Sequence, residues 1–315
     1  MAERIAVVYN PSARVGRALR KKKKIEAHLN ARNIEYDLFL TESEAHLIEI
    51  TARAVHDYPV IIGVGGDTTI NVISREILRA KKGTTLGIIS QGSTNDFAKG
   101  VGVHKLKDAL NAIAAGTSRA IDVGAITCAK DQEPYVFLAQ ASLGLGVSVN
   151  RYVDAWMKRH TFARRFHKLA QATSGLAAIY NSFKTKAVPM NFQLESSKGI
   201  RNIDSSLLIF NNTSYFAGMF QVSPIANPTD GKLDCCIFNS ASFTNLVRTA
   251  LQIKSLKHLE DDKVEILQDN YFKITSNQPY EIQLDGEIFR SECEIEVSIL
   301  PGALNLIINP AKLPE

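Results

Sequence analysis

The 315-residue chain has few cysteines, and no arrangement of them that does chemistry. Cys128, Cys235, Cys236 and Cys293 form no CxxC pair and have no histidines at zinc-site spacing, so neither a disulfide framework nor a metal knot is indicated. All four read as reduced core thiols. Long apolar runs are missing as well: no stretch approaches the roughly 18 uninterrupted apolar residues of a spanning helix, which excludes an integral helical membrane protein. The N-terminus passes from Met1, Ala2, Glu3 and Arg4 straight into the apolar run 5–9, without an h-region or cleavage site, so a cytoplasmic location is expected. There is no internal repeat and no low-complexity segment. No recognition helix, zinc finger or aromatic RNP-like pattern is there to read bases, so nucleic acid is not an expected partner.

What is present is material for a packed core, 45% hydrophobic and 22% charged. A length of 315 residues exceeds the roughly 250–300 at which single cores stop growing, so two domains are expected. The net charge of +5 is concentrated in the segments 14–24 and 158–168. Such patches favour anionic partners, a nucleotide or an anionic membrane, although lysines 21–24 read equally well as a solvated helix face.

Residues 4–124 alternate short β-rich runs with helical stretches. The runs are 5–9, 36–40, 60–64 and 86–89, and the helices reach to about residue 32 and cover 45–55, 71–80 and 106–115. This rhythm implies a parallel sheet covered by helices, and the unbroken apolar run 60–64 suits a strand buried on both faces. After about residue 123 the texture changes to β-biased runs at 135–139, 190–194, 205–210, 233–238, 271–275, 281–284 and 294–299, separated by Gly, Asn, Asp and Pro turns. The expected architecture is an α/β nucleotide-binding domain with a parallel sheet over 1–124, followed by a C-terminal antiparallel β-sandwich domain over 125–315. A helical insertion interrupts the sandwich at 151–184, and the extreme C-terminus packs back on the first domain.

The motifs sit where strands end. Asn10, Pro11 and Ser12 follow the first strand, at the edge where open α/β sheets bind ligands, but alone they are no more than a turn. The stretch from Gly63 to Asn71 is stronger. Gly65 and Gly66 let backbone approach phosphate, and Asp67 supplies a carboxylate for Mg²⁺ before a helix begins. The next strand end carries Ser90, Gln91, Gly92, Ser93, Thr94, Asn95 and Asp96, so two such loops should converge on one crevice. Asp96 taken singly reads as a helix N-cap. Further on, Asp230-Gly231-Lys232-Leu233-Asp234 and Asp285-Gly286-Glu287 each read singly as a hairpin turn.

In order, Asn10-Pro11-Ser12, Gly65-Gly66-Asp67, Asn95-Asp96-Phe97-Ala98, Asp230-Gly231-Lys232-Leu233-Asp234 and Asp285-Gly286-Glu287 resemble the diacylglycerol kinase catalytic-domain family, most closely its bacterial soluble lipid kinases, relatives of sphingosine kinases. Asn211, Ala217, Gly218, Pro224, Ile225 and Ala226 extend the likeness. The resemblance implies an ATP- and Mg²⁺-dependent kinase acting on a lipid hydroxyl, with diacylglycerol the first substrate to try. It implies nucleotide contacts from Asn10, Pro11, Ser12, Ala13, Arg14, Thr41, Gly65, Gly66, Asp67, Thr68, Thr69, Ile70, Asn71, Val72 and Ser93. Asp67, Asp96 and Asp122 match its acidic positions for catalytic Mg²⁺ and charge organisation, and Glu287 matches the acid proposed as general base. A structural Mg²⁺ site would involve Asp230 with backbone oxygens near Asn227 and Lys232. Phosphoryl transfer depends on positioning and charge neutralisation, which such a set supplies.

The chain departs from the family pattern at Thr68 and Val72, which stand where the family has glycine and glutamate, and at Ser90, which stands for proline. A positive φ at Thr68 would strain its β-branched side chain. Two other readings stay open: an NAD kinase, which shares the Gly-Gly-Asp idea, and a nucleotide or lipid binder without turnover. The insertion carries Trp156, Phe162 and Phe166 among Arg164, Arg165 and Lys168, the pattern of a basic amphipathic helix at a membrane interface, or of a helix packed on the sandwich. Peripheral contact with the inner membrane face is the corresponding expectation.

Overall fold

The computed structural model describes residues 4–11, 15–92, 94–129, 131–148, 150–151, 190–239 and 243–308. Ser12, Ala13, Arg14 and Ser93 lie outside these, as does the insertion expected over 151–184 apart from Arg151.

Four parallel strands open the chain: β1 (Ile5–Tyr9), β2 (Tyr36–Leu40), β3 (Val60–Gly65) and β4 (Thr85–Ser90), in the order β4-β3-β1-β2. Crossover helices connect them, because parallel neighbours cannot be joined by a tight turn. They are α1 (Val15–Asn30), α2 (Glu44–Asp57) and α3 (Asp67–Ala80), followed by the short α4 (Asp96–Gly100) and α5 (Leu106–Ala115). α1 packs with α5 and α2 with α3. Between the helices and the sheet lies one core, in which Val7, Ile61, Ile62, Val64 and Ile88 meet Leu29, Ile50, Ile73, Ile77 and Ile113. The missing side chain of Gly63 brings α3 close to β3: a Cβ there would sit 2.9 Å from the Cδ1 atoms of both Ile70 and Ile73. That close approach fixes where the first turn of α3 lies.

The C-terminal half is antiparallel. β5 (Ser118–Cys128), β6 (Tyr135–Phe137), β7 (Gln140–Gly144), β8 (Met190–Ser196), β9 (Gly199–Ser205) and β10 (Leu207–Asn211) come first. The small hairpin β11 (Tyr215–Phe216) and β12 (Phe220–Gln221) follows, then β13 (Leu233–Phe238), α6 (Phe243–Ile253), β14 (Val264–Asp269), β15 (Tyr271–Leu284) and β16 (Glu287–Ile307). The second core is a β-sandwich interior: Ala141, Leu143, Leu208, Phe210 and Ile237 from one face meet Ile126, Phe192, Phe272, Ile274 and Val297 from the other. Thus an α/β part with a parallel sheet precedes an antiparallel β-sandwich.

The runs 271–275 and 281–284 prove to be one strand, β15, and the run 294–299 is the middle of the long β16. β16 passes through Pro301 because its ladder with β5 shifts register between Leu300 and Leu304, so that no N–H is required of the proline. Beyond the shift Leu306 pairs with Leu86 in parallel, which joins β16 to the first sheet through β4. Cys128, Cys235 and Cys236 are buried, but Cys293 is exposed, a correction to its reading as a core thiol. It falls where β15 and β16 lose register between Thr275 and Tyr280, so no paired strand covers it. Among the described residues no helix is long and apolar enough to cross a membrane.

Candidate active site

The turn after β3 is shaped by contacts that exclude side chains. A Cβ on Gly65 would lie 2.5 Å from the Thr69 side chain, and one on Gly66 would lie 3.3 Å from the Cα of Gly92. The loop after β3 and the loop after β4 therefore touch backbone to backbone. Gly66 is the N-cap of α3 and has no side-chain cap, which leaves the first-turn N–H groups of the helix without a side-chain acceptor at that position. Asp67 occupies the first turn, where the helix dipole favours a negative charge.

The carboxylate of Asp67 ties the two loops together. Its Oδ2 accepts from the Thr94 hydroxyl at 2.7 Å and from the Asn95 N–H at 2.8 Å. Asn95 holds left-handed φ and ψ of 52° and 47°, a conformation asparagine tolerates, and its side-chain amide donates to Gly92 O. That conformation turns the chain into α4 and buries the next residue, Asp96. Gly218, at the tip of the β11–β12 hairpin, donates its N–H to Asp96 Oδ1 at 2.7 Å, and Lys99 donates to Gly218 O. The sandwich thus reaches across to the α/β part at one of its acids.

A third carboxylate completes the cluster. Asp285 and Gly286 form the two-residue turn between β15 and β16, with φ of 47° and 90°. The turned-in side chain of Asp285 accepts three backbone N–H groups, from Leu138 and Ala139 at 2.7 Å each and from Gln140 at 3.0 Å. Burial is the main force on both acids. It pushes Asp96 up to about 7, assisted by the charges of Asp67 and Asp285 and opposed by the Gly218 N–H and Lys99. It pushes Asp285 up to about 6 against those three N–H groups, with Asp67 again adding to the rise. The negative charge of Asp67 thus adds to the rise at both Asp96 and Asp285, and a cation beside these acids would relieve that repulsion.

Asn10 reaches the same edge, donating from Nδ2 to Thr69 Oγ1 at 3.0 Å, with Pro11 after it. Thr41, buried at the end of β2, bonds through its N–H and its hydroxyl to Tyr9 O. Gly65, Gly66, Asp67, Ile70, Asn71 and Ser90 line a small cleft between α3 and α4. Thr68 is exposed in the first turn of α3 with ordinary helical φ, so the strain feared for a β-branched residue there does not arise. Val72 is in the core, which explains why an apolar side chain is accommodated at that position.

Other expected residues lie elsewhere. Asp122 is buried with its oxygens on the N–H groups of Gly231 at 2.7 Å and Gly302 at 2.8 Å, a clamp between the Asp230 turn and β16. Asp230 accepts from the Lys232 N–H, and burial, then the charge of Asp122, raises its pKa. Asn227 Oδ1 is taken by Thr229 through its N–H and hydroxyl. Among the described residues no group of three His, Cys, Asp or Glu side chains forms a metal cage, so Asp230 could hold a cation only with carbonyl and water oxygens. Glu287, the first residue of β16 directly after the Asp285-Gly286 turn, is exposed. Two residues were missed. Asp285 looked like turn chemistry, and only its inward carboxylate gives it away. Lys21 looked like a solvated face, yet its Nζ donates to Ser90 O and burial lowers its pKa.

Comparison with known proteins identifies the family of both halves of the chain. Residues 4–126 match the diacylglycerol kinase catalytic domain, and residues 141–308 match the YegS C-terminal NAD kinase beta sandwich-like domain. A protein of Chromohalobacter salexigens named "Probable lipid kinase YegS-like" is 30% identical over 251 residues, 78% of this chain and 75% of that one. The diacylglycerol kinase of Bacillus subtilis (strain 168) is 23% identical over 295 residues, 90% of each chain. A crystal structure of a diacylglycerol kinase from Bacillus anthracis str. Sterne superposes with a TM-score of 0.72 over 98% of both chains at 17% identity, which bears on the fold alone. With both domain matches in place and most of the chain aligned to these relatives, the protein belongs to the bacterial lipid kinase branch of the diacylglycerol kinase catalytic-domain family.

Proposed function

We propose that the protein transfers the γ-phosphoryl group of ATP to the hydroxyl of a lipid, diacylglycerol in the first instance. The observation that carries this reading is the meeting of the Gly66 and Gly92 loops around Asp67, with Asp96 and Asp285 beside it. In this reading residues 1–124 hold the nucleotide and residues 125–315 present the lipid, with the site between them.

Asn10, Thr41, Gly65, Gly66, Thr68 and Thr69 border the phosphates, together with Pro11, Ile70, Asn71 and Val72 in the surrounding frame. Ser12, Ala13, Arg14 and Ser93 belong to the same proposed set by family likeness. The side-chain-free backbone of the Gly66 and Gly92 loops, held together beside the Asp67 and Asp96 carboxyls, fits a Mg²⁺-bound phosphate chain. Mg²⁺ supplies charge neutralisation at the transferring group when bound. Asp67 and Asp96 would hold it, Asp122 fixes the turn that carries Asp230, and Asp230 with Asn227 and Lys232 carbonyls would form the structural site. Glu287 accepts the proton of the lipid hydroxyl: a folded Glu287→Gln protein that kept full phosphoryl transfer would remove that role. Peripheral contact with an anionic inner membrane surface belongs to the same proposal, since the acceptor resides there.

The experiment is incubation of the full chain with labelled ATP, Mg²⁺ and a total lipid extract, followed by identification of the product. A labelled phospholipid supports the proposal. Label on NAD added in parallel selects the NAD kinase reading, and ATP binding without lipid-dependent turnover selects a binder.

A further inference from the structure

Two asparagines follow each other at the end of β10, and their side chains go to different partners. That of Asn211 turns back into the sheet, where its Nδ2 donates to Ile209 O at 3.3 Å and to Asp234 O at 3.2 Å. Asn212 is fully buried, and its Nδ2 donates to Asp122 O at 2.9 Å and to Leu138 O at 2.8 Å. The β5–β6 ladder ends at the pair Gly124 and Phe137, so Asp122 and Leu138 lie just past its last rung. The amide of Asn212 bridges the two strands where their own pairing stops. An amide nitrogen carries two N–H groups on one atom, which a hydroxyl or a carboxylate does not.

The backbone that Asn212 holds is the backbone that holds Asp285. Leu138 accepts the Asn212 amide on its C=O and donates its N–H to Asp285 Oδ2. Ala139 accepts the backbone N–H groups of Asn212 at 2.9 Å and Thr213 at 3.2 Å, and donates its own N–H to Asp285 Oδ1. The chain leaving Asn212 runs to the other acid. Thr213 packs against the end of α4, where a Cβ on Gly100 would lie 2.4 Å from the Thr213 Cβ. Further along, Gly218 donates its N–H to Asp96 Oδ1 at 2.7 Å and accepts from Lys99. Thr213 and Gly218 therefore hold α4 at its two ends, and the same segment is anchored through Asn212 to the backbone that carries the Asp285-Gly286-Glu287 turn.

We infer that Asn212 is a positioning residue for the reaction: by tying residues 138–139 to the segment 212–218, it sets the spacing between the turn that carries Glu287 and the nucleotide-side acid Asp96. The inference rests on the lipid kinase reading above. Phosphoryl transfer draws on position and charge, and a misplacement of about 1 Å can cost about a hundredfold in rate. The Gly66 and Gly92 loops are joined to each other through Asp67, which bonds to Thr94 and Asn95 and not to Asn212. Loosening the tie at Asn212 should therefore act on kcat and spare ATP binding. Among the described residues Asn212 Oδ1 has no partner, so the donor pair is the half of the amide that is used, and the buried acceptor is left unmet at a cost in stability.

The test compares the full chain with Asn212→Ala and with Asn212→Ser, which keeps one donor and carries the same readouts if the alanine protein does not fold. At a temperature well below every thermal midpoint, calorimetry gives ATP affinity, dioleoylglycerol in mixed micelles gives kcat and KM, and amide hydrogen exchange is followed at Leu138, Gly218 and Ile62. The expected result is kcat lower by about tenfold in Asn212→Ala and by less in Asn212→Ser, with KM for ATP and ATP affinity within about twofold of the parent. Exchange should be faster by about tenfold at Leu138 and Gly218 alike, with Ile62 of the first sheet unchanged. A merely structural asparagine would speed all three amides together and leave kcat per folded molecule alone. Unchanged kcat, unchanged exchange at Gly218, or ATP affinity that falls as far as kcat overturns the inference. A parent chain without lipid-dependent turnover rejects the kinase reading instead, and exchange then decides the tie by itself: Gly218 selectively faster than Ile62 upholds it, and Gly218 unchanged overturns it.

Discussion

Replacing Asp96 by asparagine should stabilise the protein at alkaline pH while abolishing its activity. The Asp96 carboxyl is held at about 7 by burial and by its neighbours Asp67 and Asp285, against 3.8 for an ordinary aspartate. Between those two values the folded protein keeps a proton that the unfolded chain has released, so stability falls as pH rises through this window and levels off above it. At about 1.4 kcal/mol per pKa unit, the full rise amounts to at most roughly 4 kcal/mol. Unfolding entropy of about 2 cal/mol/K per residue makes 1 kcal/mol equivalent to roughly 1.5 °C in a chain of this length. Asparagine keeps an oxygen for the Gly218 N–H and carries no charge, so Asp96→Asn should melt about 4–6 °C above the parent at pH 8.5, with the curves converging towards pH 4.5. Thermal denaturation of both proteins across that range in metal-free buffer is the assay. Parallel curves would show that Asp96 is not held protonated by its surroundings and would refute the reasoning.

Asp285→Asn should gain much less at pH 8.5. Relief of the burial cost that holds its carboxyl at about 6 is offset by an NH₂ group facing the N–H donors of Leu138, Ala139 or Gln140, at about 1–3 kcal/mol per stranded donor, so the same melting assay should place it within a few degrees of the parent and below Asp96→Asn. Gly66→Ala puts a methyl group 3.3 Å from the Cα of Gly92, so the two loops must part. The expected outcome is ATP affinity weaker by about tenfold with little change in melting, read by calorimetric titration. Unchanged affinity would separate the cleft from the nucleotide.

The parallel half of the fold was legible because its strands are buried on both faces and read as unbroken apolar runs, as 60–64 does for β3. Its helix starts were less so: α3 begins at Asp67 rather than residue 71, since the Asp-Thr-Thr stretch is polar in sequence yet continues directly from the Gly66 cap. In the sandwich, β13 was found at its full length, but β9 and β14 were not. Their burial is partial, so charged residues such as Arg201 and Glu265 dilute the pattern, and those two side chains pair with each other. At the site, the convergence of the Gly66 and Gly92 loops follows from glycines at adjacent strand ends. Asp285 was not legible, because an Asp-Gly turn looks the same whether or not its carboxylate turns inward to accept backbone N–H groups.

The central claim is that the acids at the meeting of the two loops drive phosphoryl transfer to a lipid, and labelled ATP with dioleoylglycerol in mixed micelles measures it most directly. The account predicts labelled phosphatidic acid that depends on Mg²⁺ and falls by at least about a hundredfold in Asp67→Asn at equal folded protein. Labelled product formed equally well by Asp67→Asn would contradict it.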